Sequence, residues 1–207
     1  MKKIVLLFIA LLFANSAFAS TPKEYATSVA DQVVSIIESK GTDEAKEQRL
    51  ISLFKQNVDT NWMGKFVMGR YFRQADKKLQ NRYLGLYADY VIYSYIPKFR
   101  LYAGERMQVT QVIDDSEGFY TVKSVLNTKA SSTGKVFVDY KLKKSAGAFK
   151  IVDVIGEGVS LINTQRSDFS TPLSEMGVEG FVNRLEEKVK VLKSTPAADL
   201  SNKSAKN

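Results

Sequence analysis

At Arg106 the hydrophobic period of this chain changes from three-to-four residues to two, and after Ile155 it changes back. Met107–Asp114, Phe119–Thr128, Val136–Lys144 and Phe149–Ile155 read as four strands. They are separated by turns at Asp115–Gly118, Ala130–Gly134 and Ser145–Ala148. Connections this short join antiparallel neighbours, because a parallel crossover needs about a dozen residues or more. The third strand alternates cleanly, with Val136, Val138, Tyr140 and Leu142 on one face and Phe137, Asp139, Lys141 and Lys143 on the other. One face is therefore covered and the other largely wet. With helical patterning before and behind this meander, the expected fold class is α+β. A helical layer packs on a curved antiparallel sheet of four strands or slightly more.

Four helices are expected ahead of the sheet. Thr21-Pro22-Lys23-Glu24 is a start signal: Thr21 as N-cap, Pro22 at the first helical position, Glu24 three residues after the cap. That helix places Tyr25, Val29, Val33, Ile36 and Ile37 on one face and stops near Lys40-Gly41. The second runs from about Asp43 to Asn57, with Leu50, Leu53, Phe54 and Val58 spaced for burial. The third, Asn61–Gly69, contains Gly64 and Gly69, each costing ~1 kcal/mol of helicity against Ala. Close backbone packing explains such glycines, and so does a turn. The fourth and longest is capped by Asp76 and carries Tyr83, Leu86, Tyr87, Tyr90, Val91 and Ser94 along one stripe. Pro97 cannot donate to its ladder, so a kink is expected near Tyr93–Ile96, with helical character resuming to Tyr102. Behind the sheet a helix is expected over Val159–Glu175, interrupted by Pro172, and a last one over Val178–Leu192.

Residues 1–19 read as a signal peptide, not as part of the fold. Lys2 and Lys3 precede an eleven-residue apolar run, Ile4–Ala14, and Ala17-Phe18-Ala19 supplies the small-x-small cleavage site. The run is too short to span a bilayer. Cleavage after Ala19 leaves 188 residues: one domain over 20–193 and a polar, Lys-dotted tail over 194–207 that is expected to be disordered. From Ser20 onward there are 28 basic and 22 acidic residues. Export and the lack of a dense Arg/Lys run speak against nucleic acid as the partner; anionic headgroups or acidic partners remain.

The chain has no Cys and no His. That excludes Ser-His-Asp and Cys-His nucleophilic chemistry and argues against a zinc site. No metal, no cofactor and no enzymatic activity are expected. Asp153 and Glu157 stand four apart, as an acid/base pair can, but they straddle a strand end and a turn, so their separation is not fixed. The structural alternative has Asp153 accepting hydrogen bonds from backbone or Tyr hydroxyls and Glu157 pairing with an arginine. Gly156-x-Gly158 is too weak to count as a phosphate loop. The inward faces carry Tyr25, Trp62, Phe66, Tyr83, Tyr87, Tyr90 and Tyr140. Tyr combines an apolar body with a polar tip, which suits a cavity that meets water. The same pattern also packs a plain core, and the period alone leaves both open.

The stretch Phe149–Phe169, FKIVDVIGEGVSLINTQRSDF, runs from the last strand through the acid Asp153 and the Glu157–Ser160 run E-G-V-S into an amphipathic helix. It resembles the signature of the periplasmic phospholipid-carrier family known as MlaC, or the toluene-tolerance auxiliary family. Asn61–Tyr71 (NWMGKFVMGRY) and the Tyr-rich helix from about Leu79 resemble the same family, in its order, over roughly Tyr25 to Leu185. Pro97 in the long helix departs from it. The resemblance implies a twisted sheet and a helical layer enclosing a deep apolar cavity in a periplasmic, monomeric lipid carrier. It also implies three partners: phospholipid, an inner-membrane ABC transporter complex with an MCE-domain protein, and an outer-membrane lipoprotein complex. Trp62, Phe66, Val67, Tyr83, Tyr87, Tyr90 and Val91 would then face the ligand from the helices. Val138, Tyr140 and Val154 would do so from the sheet, and Val159 and Ile162 from the helix that follows. Arg70, Arg73, Lys98 and Arg100 stand as candidates for a phosphate headgroup. A binding protein for a fatty acid, isoprenoid or solvent, and an interaction protein with no cavity, are the alternatives.

N-terminal sequencing of the exported protein is expected to read Ser-Thr-Pro-Lys from Ser20. An intact Met1 on membrane-bound protein would overturn the assignment.

Overall fold

The structure is a computed structural model that describes residues 20–101, 104–128 and 133–195. The expected signal peptide over 1–19, most of the expected tail over 194–207 and part of the Ala130–Gly134 turn lie outside those residues. Local signals place the first helices. α1 (Pro22–Glu38) opens on a complete capping box, with Glu24 N–H donating to Thr21 Oγ1 at 3.2 Å and Thr21 N–H to Glu24 Oε2 at 2.8 Å. α2 (Asp43–Asn57) is capped by Thr42 and α3 (Thr60–Met68) by Asp59. Gly69, at φ 58° and ψ −126°, ends α3 and starts a five-residue α4 (Arg70–Gln74) that the sequence pattern does not separate from its surroundings. Gly64 has a different reason. A Cβ there would stand 2.9 Å from Cδ1 of Tyr87, so its absence lets α3 approach α5 (Lys77–Tyr95). Both explanations offered by the sequence are thus used, one per glycine. At Pro97 the helix tightens into a 3₁₀ segment over Ile96–Leu101.

The meander forms as expected and gains a strand. β1 (Met107–Ser116), β2 (Phe119–Asn127), β3 (Lys135–Ser145), β4 (Ala148–Gly156) and a two-residue β5 (Val159–Ser160) pair antiparallel in sequential order. β5 pairs only with β4, so the sheet stays unclosed. Irregularities between Val109 and Gln111, between Asp114 and Ser116, and opposite Lys141–Leu142 add local twist and curl it. Val122 faces Tyr140, Tyr140 faces Val154, and Leu142 faces Ile151. Val122, Leu142, Phe149 and Ile151 bury against Ala26 of α1, with Tyr25 and Val29 beside them. A second cluster gathers α3, α5 and the last helix, α6 (Leu161–Ser194), around Met63, Tyr83, Tyr87, Phe169 and Phe181. A third joins Ile36, Leu50 and Leu53 to Ile92 and Ile96.

α6 departs from expectation in two ways. It begins at Leu161 rather than Val159, because Val159 and Ser160 pair with Gly156 and Ile155 as β5. It also runs through Pro172, the residue expected to interrupt it. Phe169 and Leu173 on either side of Pro172 are buried, and that packing holds the turn despite one missing donor. The break between the two expected helices falls at Gly177, with φ 69° and ψ 179°, in the gap left between Glu175 and Val178. That region is accessible almost only to glycine. Gly177→Ala is therefore expected to lower stability by about 1–3 kcal/mol, although no atom stands within 4 Å of the added Cβ. A urea titration showing a reduced midpoint at unchanged slope checks it.

Candidate functional site

Asp153 is the joint between sheet and helices. It is buried just beyond the irregularity in β4. Its Oδ1 accepts the N–H of Val154 at 2.9 Å and of Ile162 at 3.2 Å, and its Oδ2 accepts the Ser160 hydroxyl at 2.6 Å. Ser160 Oγ in turn accepts the N–H of Asn163 at 3.2 Å and caps α6. The carboxylate thus sits at a helix N-terminus, where negative charge is favoured. Among the described residues, Glu157 does not form the expected pair with an arginine. Its Oε1 accepts the Phe137 N–H at 2.6 Å while its own N–H donates to the Phe137 carbonyl at 2.9 Å. Structural hydrogen bonds therefore occupy both carboxylates that suggested an acid/base pair.

α6 lays Ile162, Gln165, Phe169 and Leu173 against α3 and α5. Tyr83 and Tyr87 are fully buried there, their ring centroids 5.8 Å apart. Tyr83 donates its hydroxyl to the Gly64 carbonyl at 2.9 Å, and Tyr87 donates to Gln165 Oε1 at 2.6 Å. Burial pushes both phenols well above the ordinary range, so both remain neutral donors. Phe169 and Phe181, 4.8 Å apart, and Tyr90, 5.8 Å from Phe169, extend the aromatic wall. The sequence reading misses Gln165, which looks like the first polar residue after an apolar turn. Its place three residues beyond buried Ile162 is the signal that it points inward.

Of the twelve residues singled out in the sequence, the structure brings eight together. Val67, Tyr83, Tyr87, Val91 and Ile162 are buried in the helical cluster, with Trp62, Phe66 and Tyr90 half-buried against it. Tyr140 and Val154 pack instead on the sheet cluster beneath α1, and Val138 is half-buried in β3. Val159 is 62% exposed and lies outside every cluster, because pairing in β5 turns it outward. The headgroup candidates do not converge. The Arg70 guanidinium lies 5.0 Å over the Tyr71 ring, Arg73 is exposed, and Lys98 Nζ lies 4.8 Å from the Tyr95 ring. The side chain of Arg100 is outside the described residues. A cleft of 190 Å³ opens between α1, α2 and the 3₁₀ segment. Ile37, Leu50, Ile96 and Phe99 line it together with Asp43, Lys46 and Glu47. It is smaller than the ~300–1,000 Å³ of common ligand pockets.

Comparison with known proteins places this geometry. The profile of the family described as MlaC protein matches residues 27–187. The chain belongs to the MlaC family. The matched span contains the Asn61–Tyr71 block, the α5 tyrosines and the Asp153–Ser160 joint. The chain is 18% identical over 186 residues to the intermembrane phospholipid transport system binding protein MlaC of Haemophilus influenzae, covering 86% of this chain and 87% of that protein. It shares its fold with a phospholipid-binding protein from Ralstonia solanacearum, solved in complex with a phospholipid. That match has a TM-score of 0.72 at 20% identity and covers 82% of this chain and 97% of that one.

The Tyr87–Gln165 bond makes a direct test of the MlaC-family wall. Tyr87→Phe leaves a buried amide oxygen unsatisfied and is expected to cost about 1–3 kcal/mol. Adding Gln165→Leu removes the orphaned acceptor together with the Nε2 that has no partner among the described residues, and the Gln165→Leu single variant separates the two contributions. Denaturation of the single and double variants reads the coupling.

Proposed function

We propose that this MlaC-family chain is a periplasmic phospholipid carrier that moves lipid between inner and outer membranes by sheltering its acyl chains. The observation that carries the reading is membership of the family over residues 27–187, joined to a fold shared with a phospholipid-bound protein. The physical need is plain. Each methylene kept from water is worth ~0.8 kcal/mol, so two long chains cannot cross an aqueous space unprotected. In a protein interior as apolar as the bilayer the exchange is close to thermoneutral, and loading and unloading are both possible. Such a carrier requires no catalytic group, metal or cofactor.

The unclosed, curled sheet suits this task. Val138, Tyr140 and Val154 are the residues we assign to chain contact on its covered face, with half-buried Trp62, Phe66 and Tyr90 assigned on the helical side. Tyr83 and Tyr87, buried and hydrogen-bonded, hold the wall together with Val67, Val91 and Ile162. Direction of transport would belong to the partners, an inner-membrane MCE-domain transporter complex and an outer-membrane lipoprotein complex, because a passive carrier has no energy source.

Mass spectrometry of an organic extract from protein purified without added lipid tests the reading. Phospholipid is expected at near-stoichiometric level. A fatty acid, an isoprenoid or an empty extract would overturn it. Val138→Glu puts a carboxylate against the chains, where it must lose either its hydration or its charge. That variant is expected to stay folded and lose the lipid, and a folded variant with normal lipid content would show the chains lie elsewhere.

A further inference from the structure

The basic excess of this chain is concentrated in two segments. Residues 60–74 hold Lys65, Arg70 and Arg73 and no acid. Residues 140–152 hold Lys141, Lys143, Lys144 and Lys150 and no acid. The remainder from Ser20 onward, with 21 basic and 22 acidic residues, is nearly neutral. The acids that bound the second segment are committed: Asp139 pairs with Lys123, and Asp153 caps α6.

The fold brings these segments side by side. Val58, just ahead of α3, bridges to Ile151 of β4, and the Asp59 N–H donates to the Ile151 carbonyl at 2.9 Å. Lys150 donates to the Gln56 carbonyl. Where they meet, the Trp62 ring stacks on Phe66 at 5.5 Å and tilts against Phe119 at 5.7 Å. Lys143 Nζ lies 5.9 Å from the centres of both Trp62 and Phe119, and the Arg166 guanidinium lies 5.1 Å over Phe66. All three rings are only half-buried. Among the described residues, none of Lys65, Arg70, Arg73, Lys143 and Arg166 takes part in an ion pair.

Unpaired cations around part-exposed Trp and Phe rings ask for negative charge and apolar contact at the same depth. The interfacial layer of an anionic bilayer supplies both: phosphates for the cations, the acyl boundary for the rings. An acidic protein surface would meet both only where apolar side chains lie among its acids, whereas a bilayer presents both layers over its whole area. We infer that this face docks the protein on the headgroup layer of an anionic phospholipid bilayer, with the Trp62–Phe66–Phe119 rings at the interface. The surface lies outside the assigned acyl-chain contacts of β3 and β4 but shares Trp62 and Phe66 with the helical wall. It stands whether or not lipid is carried inside.

Trp62 is the single tryptophan of the chain and reports on its own surroundings. Flotation of the purified protein with phosphatidylcholine vesicles, with and without phosphatidylglycerol, is the measurement. At low salt the protein is expected to float with the anionic vesicles alone, with Trp62 emission shifted to the blue and shielded from acrylamide, and high salt should release it. Arg70→Glu/Arg73→Glu/Lys143→Glu should weaken the partition by about tenfold or more. The triple variant Lys23→Glu/Arg184→Glu/Lys188→Glu carries the same net charge on exposed positions elsewhere and should lose far less. Failure to float with anionic vesicles at low salt would overturn the proposal, as would binding that leaves Trp62 emission unchanged, or equal losses in the two triple variants. Should the patch variant misfold, flotation of the wild type decides: it must require phosphatidylglycerol and be reversed by high salt. Flotation and extracted lipid content are independent, so failure here leaves the carrier reading standing, and the reverse.

Discussion

A buried carboxylate holds the two halves of this molecule together. Asp153 has lost almost all contact with water, which costs several kcal/mol unless donors replace it. Three do: the hydroxyl of Ser160 and the N–H groups of Val154 and Ile162. Two of these belong to the start of α6, so a carboxylate inside β4 also fixes where the helix begins and how it leaves. Everything α6 buries depends on that angle. Ile162, Gln165, Phe169 and Leu173 meet α3 and α5 only because the first turn is pinned. The irregularity in β4 matters for the same reason. Strand side chains alternate, so a slip of one residue would turn Asp153 away from the helix and send its neighbours to the wrong face.

Features governed by neighbours along the chain are legible in the sequence alone. The capping box of α1, the Asp76 cap, the alternation in β3 and the short antiparallel turns each need only a few adjacent residues. Features set by distant partners are not. Pro172 looks like a break, yet buried Phe169 and Leu173 carry the helix through it. Val159 looks like the first apolar residue of a helix, yet its pairing with Gly156 makes it part of the sheet and leaves it exposed. Gln165 looks solvated, yet Tyr87, seventy-eight residues away in sequence, supplies its hydrogen bond. The candidate site suffers from the same blindness. An aromatic stripe at helical spacing says which face turns inward and nothing about whether that face meets another helix or a ligand.

The tyrosines show how one residue type serves both ends. Inside the helical cluster the Tyr83 and Tyr87 hydroxyls find a carbonyl and an amide oxygen, and among the described residues only the Gln165 Nε2 is buried without a partner. On the sheet, burial likewise raises the Tyr140 phenol and keeps it neutral. A surface that must face acyl chains can contain such groups, because a hydrogen-bonded neutral phenol presents its ring and hides its dipole. A carboxylate or ammonium could not do the same without a partner of its own, as Asp153 demonstrates.

Charge is accordingly expelled to the outside of the elements that line the interior. α3 turns Met63, Gly64, Val67 and Met68 inward and leaves Lys65 exposed on the other side. β3 buries Leu142 on one face while Lys143, on the other, stands at the Trp62 and Phe119 rings. The helical wall and the cationic-aromatic face assigned to the bilayer therefore adjoin along α3 and share Trp62 and Phe66. Neither period nor composition requires that coincidence. It follows from placing α3 against the β3–β4 hairpin through Val58, Asp59 and Ile151. A lipid passing between a membrane under that face and the interior behind it would need to move past a single layer of side chains, of which Trp62 and Phe66 are the half-buried members.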